Sequence, residues 1–150
     1  MMNAIFVAVV ASLVLAGSLQ ADLNRALAEP NLEKRSGLAI ENAMAAYKNA
    51  RTAYETGDNE KVVASLAEVE ESVTLAHKSL NETGKDPRKS PKWFKKGEIE
   101  TRDLLRKLES FQHQMGFEDR PLVDKAKAAI TQVHDDLLVG LMQGKKKKKK

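Results

Sequence analysis

Cysteine is absent from this 150-residue chain. Without it the protein has no disulfide framework, no Cys-ligated zinc or iron–sulfur site, no thiol nucleophile and no attachment point for c-type haem. Proline and glycine are also scarce, at four and eight residues, which favours a few long elements over many short strands. The composition, 42% apolar and 31% charged, is that of one globular domain large enough to bury a core.

Positive charge is not in excess outside the C-terminus. The formal net charge is +4, but six of the 25 Lys and Arg residues form the terminal run Lys145–Lys150, which leaves 19 cations against 21 acidic residues. Specific nucleic-acid binding is therefore disfavoured, because phosphate contacts need cations spread over the folded surface. Residues 144–150 are predicted to be a disordered poly-lysine tail, since like charges repel and nothing in it can be buried.

The N-terminal region has the pattern of an export signal. Residues 4–16 (AIFVAVVASLVLA) form an apolar run that ends in small and polar residues before the charged Asp22. This predicts a signal peptide over residues 1–21, cut after Ala21 or, alternatively, after Ser18, and a periplasmic or secreted protein. The lack of free thiols suits such an oxidising location. The competing interpretation is an uncleaved N-terminal membrane anchor, because the apolar stretch is just long enough to span a bilayer.

Four amphipathic segments follow a short linker at 22–30. In each of them apolar residues recur at three- and four-residue steps, which predicts four helices in a domain over 31–143. The second segment has the most regular, heptad-like seam of apolar residues: Val62, Leu66, Val69, Val73, Ala76 and Leu80. In the third segment the predicted core face carries Trp93, Gly97, Leu104, Leu108, Phe111 and Met115, flanked by Phe94.

The residues between these segments predict where each helix begins and ends. Gly57 ends the first helix and Asp58 caps the second. Ser90 is the predicted cap of the third, with Pro91 at its first position, and the fourth begins between Asp119 and Pro121.

Short connections between long helices predict an all-α fold, an up-down four-helix bundle made of two antiparallel hairpins. An open pair of hairpins is the alternative. Residues 50–58 resemble the turn of a tetratricopeptide-type hairpin, but no second copy follows at the required spacing.

The segment 85–96 (KDPRKSPKWFKK) is the best candidate for a binding site. It holds six cations, Lys85, Arg88, Lys89, Lys92, Lys95 and Lys96, against a single acid. Cations near a helix N-terminus are unfavourable unless something anionic offsets them. Together with Trp93 they predict a site for phosphate, lipid headgroups or an acidic polymer, assisted by the lysine tail. The competing interpretation is that Trp93 and Phe94 close the core, the lysines stay hydrated and the tail only solubilises the protein.

Catalytic and metal sites lack their usual residues. None of the histidines, His77, His113 and His134, follows an acid by three residues, as di-iron bundles require. Adjacent acids on a helix (Glu70 and Glu71, Asp135 and Asp136) point about 100° apart and cannot converge on one atom. No phosphate-binding glycine loop or nucleophile elbow is present. The sequence thus predicts neither enzymatic activity nor a cofactor. The alternative is a periplasmic bundle that holds a metal through Glu109 and His113 or a haem through Met44 and His134.

Two stretches resemble a group of bacterial exported helical proteins of unknown function. They are residues 81–106 (NETGKDPRKSPKWFKKGEIETRDLLR) and residues 117–123 (FEDRPLV). The resemblance extends over most of residues 31–142. It implies a periplasmic or secreted all-helical domain and brings no activity, cofactor or catalytic residue with it.

The sequence therefore favours an exported, non-enzymatic bundle that serves as a binding or structural module of the cell envelope. Its predicted partner is an envelope protein or an anionic surface, either lipid headgroups or an acidic polymer, contacted through residues 85–96. A homodimer formed through exposed seam residues is a third hypothesis.

Overall fold

A computed structural model describes residues 22–145, and the predicted signal segment 1–21 and residues 146–150 lie outside this range. The described chain is helical and contains no strand between residues 22 and 145, as predicted. Its elements are α1 (Leu23–Leu27), α2 (Leu32–Glu55), α3 (Asn59–Glu82), α4 (Pro91–Gln114), a 3₁₀ turn (Arg120–Val123) and α5 (Asp124–Gln143). The four long helices pack together as a helical bundle.

The turn between α2 and α3 contains the terminating glycine and the capping aspartate that the sequence predicts. Gly57 takes a positive φ of 76°, a conformation that glycine adopts without steric cost. The Asp58 carboxylate then accepts a hydrogen bond from the Lys61 N–H at 3.1 Å and so caps α3. At the start of α4, Ser90 stands at the predicted cap position and Pro91 follows it, but the Ser90 side chain makes no capping hydrogen bond.

Two boundaries differ from the prediction. The linker expected at 22–30 contains α1, whose Ala26 is 1% exposed, and Arg35 Nε donates to the Glu29 carbonyl at 2.8 Å. These residues are therefore packed against α2 and are not a free linker. The fourth long helix begins at Asp124, because Arg120–Val123 form a tighter 3₁₀ turn ahead of it.

Contacts between the hairpins set the arrangement of the four helices. The Tyr47 hydroxyl donates to the Lys107 carbonyl at 3.2 Å, and a Cβ on Gly37 would lie 3.2 Å from the Trp93 ring. Residue numbers rise together along these two contacts, so α2 and α4 lie side by side and run in the same direction.

Helices α3 and α5 also lie side by side and run in the same direction. The Lys125 ammonium lies 3.7 Å from the Glu70 carboxylate, and His77 Nε2 lies 4.0 Å from the Asp136 carboxylate. Since α2 and α4 each neighbour their hairpin partner and one another, α3 and α4 face each other across the core. The connection 83–90 must therefore cross the end of the bundle diagonally.

The core contains the seam residues that the helical spacing predicted. All six predicted seam residues of α3 are buried, and Val62, Val69 and Val73 are fully so. Each such side chain contributes roughly 1.5–3 kcal/mol by leaving water. In α2 the facing residues are mostly alanines, which let α2 and α3 approach closely: Ala39, Ala43, Ala46, Ala50 and Ala53.

One core assignment was wrong by a residue. Phe94, expected to flank the core face of α4, is 3% exposed, whereas Trp93 is only partly buried. The reason lies in the neighbouring helices. Trp93 packs on Gly37 of α2, and Gly97 lies 3.3 Å, measured from its Cβ position, from the Leu137 side chain of α5. These close approaches rotate α4 so that Phe94 points inward.

Candidate functional site

The predicted basic segment lies at one end of the bundle. Here α2 and α4 begin and α3 and α5 end, so the connection 83–90 crosses this end. We call this surface the basic end. It comprises the seven residues predicted as a binding site: Lys85, Arg88, Lys89, Lys92, Trp93, Lys95 and Lys96. All six cations are exposed and Trp93 is partly buried.

Asp86, the single acidic residue of the connection 83–90, accepts the hydrogen bonds that fix its conformation. The Asp86 carboxylate accepts a hydrogen bond from the Arg88 N–H at 2.9 Å, and the Asp86 carbonyl accepts from the N–H groups of Lys89 and Ser90. The hydrogen bond from Arg88, and to a lesser degree the charge of Lys89, hold the pKa of Asp86 below its ordinary value. Asp86 therefore stays ionised and organises the loop from within.

Two of the six cations have carboxylate partners. The Lys85 ammonium lies 2.7 Å from Glu33 in the first turn of α2, and Lys96 lies 3.9 Å from Glu100 one turn along α4. Burial raises the pKa of Glu100, an effect that the Lys96 charge partly offsets. Lys85 thus links the connection to α2, whereas Lys96 is paired within α4.

The other four cations have no carboxylate within 4 Å among residues 22–145. They are Arg88, Lys89, Lys92 and Lys95. Arg88 and Lys95 also line a shallow cavity of about 300 Å³ floored by Leu141 of α5. Of the four cations, Lys89 interacts at longer range with Asp86, whose pKa its charge lowers. Four exposed cations on one surface, next to the positive end of the α4 dipole, favour an anion at this place.

Trp93 supports part of this surface. The ammonium groups of Lys92 and Lys96 lie 5.6 and 5.4 Å from the centroid of its indole ring, which is the geometry of cation–π contacts. Because Trp93 rests on Gly37, the ring is held between α2 and α4. Trp93 therefore covers the edge of the core and also contacts two lysines.

The C-terminal lysine run starts at this same end. Lys145, its first residue, donates through Nζ to the Gly84 carbonyl at 3.0 Å. Gly144 takes a positive φ of 77°, and its Cβ position lies 3.1 Å from an Asp86 carboxylate oxygen. Residues 144 and 145, which the sequence assigned to a disordered tail, are therefore packed on the connection. Lys145 and the basic segment, which are far apart in sequence, therefore meet here.

A groove missed by the sequence reasoning opens beside the basic end. It lies between the C-terminal halves of α3 and α5 and has a volume of about 400 Å³. His77, Asn81 and Asp136 form one part of its wall, and Phe94 and Leu137 form its floor. Asn81 Nδ2 lies 3.1 Å from His77 Nε2. The four-residue spacing of that pair was visible in the sequence, but its position opposite α5 was not.

His77 lies in a partly buried environment within this groove. Burial lowers the pKa of the imidazole below its ordinary value near 6.5, and the Asp136 carboxylate offsets part of that effect. The neutral ring therefore forms an uncharged wall near neutral pH.

The residues of the alternative cofactor hypothesis lie in different environments. His113 is exposed, and Met44 is partly buried on α2. His134 places its two ring nitrogens 3.1 Å from Glu98 and 3.2 Å from Asp135. Between residues 22 and 145 no group of three or more His, Asp or Glu side chains could hold a metal ion.

The adjacent acids diverge as their helical spacing predicted. Asp135 contacts His134 within its own helix, whereas Asp136 turns toward His77 of α3. Glu70 reaches across to Lys125, and its neighbour Glu71 is exposed. Neither pair presents two carboxylates to one atom.

Comparison of this chain with family models, with curated proteins and with solved structures finds no match. Among the described helices, none is long and apolar enough to cross a membrane. The chain's own residues therefore carry what can be inferred about its function.

Proposed function

We propose that this protein is an exported, non-enzymatic, up-down four-helix bundle that binds the anionic lipid surface of the cell envelope through its basic end. The observation that carries this proposal is the group of four exposed cations without carboxylate partners, Arg88, Lys89, Lys92 and Lys95, beside the first residue of the lysine run. Anionic lipid headgroups are the ligands that such a group attracts over distance.

The tail and the connection act together in this proposal. Each Lys or Arg near an anionic membrane surface contributes about 1 kcal/mol of binding free energy. Lys145 is held on the connection, so the lysine run begins at the basic end. The charge of the run adds to that of the four cations.

The described chain begins with α1, which leads into α2. Asp22, directly after the favoured cleavage position, caps α1 by accepting a hydrogen bond from the Asn24 N–H at 2.9 Å. The chain then passes into α2, which begins at the basic end. A signal peptide cut after Ala21 releases this domain with α1 complete, and a retained anchor brings the basic end next to the bilayer.

The experiment is sedimentation of the full mature chain with vesicles of phosphatidylglycerol and phosphatidylcholine, and with vesicles of phosphatidylcholine alone. We expect binding only to the anionic vesicles, weakening steeply with added salt because exposed charges are screened. The double variant Lys92→Glu with Lys95→Glu should bind at least roughly 30-fold more weakly, because the loss of two attractions of about 1 kcal/mol each gives that factor and the new negative charges add repulsion.

A matched control separates the basic end from net charge. Lys48→Glu with Lys61→Glu changes the total charge equally, at exposed positions away from this end, and should leave binding nearly unchanged. Equal losses in both double variants would reject the basic end as the contact surface. Binding to soluble polyglutamate but not to vesicles would reject a lipid partner in favour of an acidic polymer.

A further inference from the structure

The groove between α3 and α5 differs in character from the surface beside it. Its floor is apolar, formed by Phe94, Leu137 and Pro87, and Gly140 contributes no side chain that could fill it. A cavity of about 400 Å³ with an apolar floor and a few polar groups has the size and composition of small-molecule sites. Its wall along α3 extends from His77 to Gly84, about 10 Å at the rise of an α-helix.

The two ends of this groove carry opposite charges. At one end the Lys145 ammonium donates to the Gly84 carbonyl and lies more than 4 Å from every carboxylate between residues 22 and 145. The Asp86 carboxylate interacts with the backbone N–H of Lys145 and does not line the groove. At the other end stands the Asp136 carboxylate, 4.0 Å from His77 Nε2. Lys85 also lines the groove near Lys145, but Glu33 neutralises it at 2.7 Å.

Between the two ends the wall is uncharged. Asn81 Nδ2 donates to His77 Nε2 at 3.1 Å, and the pair presents no net charge to a ligand. The groove therefore offers one cationic contact, an apolar middle and a far end that repels negative charge.

We propose that this groove binds a small monocarboxylate with an apolar body, such as a medium-chain fatty acid. The carboxylate accepts hydrogen bonds from the Lys145 ammonium, and the apolar body lies over Phe94 and Leu137. Asp136 fixes this orientation, because a carboxylate at the opposite end would meet like charge. It also discriminates against dicarboxylates long enough to span the groove.

This site shares Lys145 with the lysine run, but it shares no residue with the four cations that carry the proposed membrane contact. The vesicle contact relies on Arg88, Lys89, Lys92 and Lys95, none of which the carboxylate touches in the proposed orientation. The double variant Lys92→Glu with Lys95→Glu should therefore lose vesicle binding and keep the carboxylate site. Failure of one proposal is thus distinguishable from failure of the other.

The test is titration of the isotopically labelled mature chain with octanoate, octanol and octylamine below their micellar concentrations, followed by ¹H–¹⁵N spectra. Octanoate should bind most tightly and shift the Asn81 side-chain amide and the backbone amides of Gly84 and Gly140. Lys145→Gln should weaken octanoate binding by roughly tenfold, through loss of a charge-assisted hydrogen bond, and leave octanol binding unchanged. Asp136→Asn should strengthen octanoate binding several-fold.

Other results would overturn the proposal. Tighter binding of octylamine than of octanoate would show that Asp136, and not Lys145, selects the ligand. Shifts confined to other surfaces, equal affinity of the Lys145→Gln variant for octanoate, or no shifts at millimolar ligand would each reject a monocarboxylate site. Both substitutions are at exposed or half-exposed side chains, so the variants are expected to fold.

Discussion

The two ends of the bundle differ in whether their polar side chains have partners within the described chain. At the end where α4 meets α5, the Tyr54 hydroxyl donates to Asp119 at 3.0 Å and accepts from the Gly116 N–H at 2.9 Å. Gln112 likewise donates to the Arg120 carbonyl and to the Asp124 carboxylate. At the basic end, four cations have no carboxylate partner within residues 22–145, and a groove remains open.

The difference indicates which end serves stability and which serves binding. Polar groups that satisfy one another hold connections in place, and they leave little for a partner to gain. Unpaired cations near a helix N-terminus cost stability in the isolated protein and give a partner something to bind. We refer to the first as the closed end, formed by residues 54–58 and 112–124.

The largest effect is expected at the closed end. Tyr54→Phe removes two hydrogen bonds that link α2 to the α4–α5 connection, and should lower the free energy of unfolding by roughly 1–2 kcal/mol. Urea denaturation followed by circular dichroism measures this change. Vesicle binding should stay at the wild-type level, because the basic end is untouched. If vesicle binding changed as much as stability, the assignment of stability to the closed end and of binding to the basic end would be contradicted.

A smaller effect of the opposite sign is expected at the basic end. Lys92 stands in the first turn of α4, where Lys92→Glu replaces an unfavourable charge by a favourable one and gives up one contact with Trp93. We expect a net gain in unfolding free energy of roughly 0.5 kcal/mol, together with weaker vesicle binding.

The matched control for Lys92→Glu is Lys61→Glu, which makes the same change in the first turn of α3 at the closed end. It should also gain stability, with vesicle binding preserved. Loss of stability in the Lys92 variant would mean that these cations stabilise the fold and would contradict their assignment to binding.

The smallest effect concerns the groove and is pH-dependent. Because burial lowers the pKa of His77 in the folded protein, the unfolded chain binds the proton more readily. The free energy of unfolding therefore decreases as the pH falls from the His77 pKa of the unfolded chain, near 6.5, toward the lower pKa of the folded protein. Above pH 6.5 His77 makes no such contribution. His77→Gln should remove this part of the pH dependence. Unfolding curves at pH 5 and pH 7.5 test it, and parallel behaviour of both proteins would contradict the burial effect.

Much of the fold follows from local patterns that a sequence displays directly. The α3 seam from Val62 to Leu80 is buried as its spacing predicts, and Asp58 caps α3 through the bond expected of that residue type. Glycine and proline punctuation likewise located the long helices to within a few residues. The basic segment was recognisable because its charges are adjacent in sequence.

The remaining features depend on which helices become neighbours. The order of the helices around the core, the inward rotation of Phe94 and the groove each require contacts between residues far apart in the chain. The close approach of Lys145 to Gly84 is of the same kind. Helix direction alone places the ends of α3 and α5 at one end of an alternating bundle, but it does not say that these helices touch.

Taken by itself, the sequence determined that residues 31–143 form four long helices, where these helices begin and end to within a few residues, and where the positive charge is concentrated. Those properties depend on residues within one or two turns of each other, whose periodicity and capping act locally. Only the tertiary structure decided which cations remain without partners, that the lysine run starts beside them and that a groove opens between α3 and α5. Those properties depend on packing between helices, because the close approaches allowed by Gly37, Gly97 and Gly140 set the neighbours of each charge.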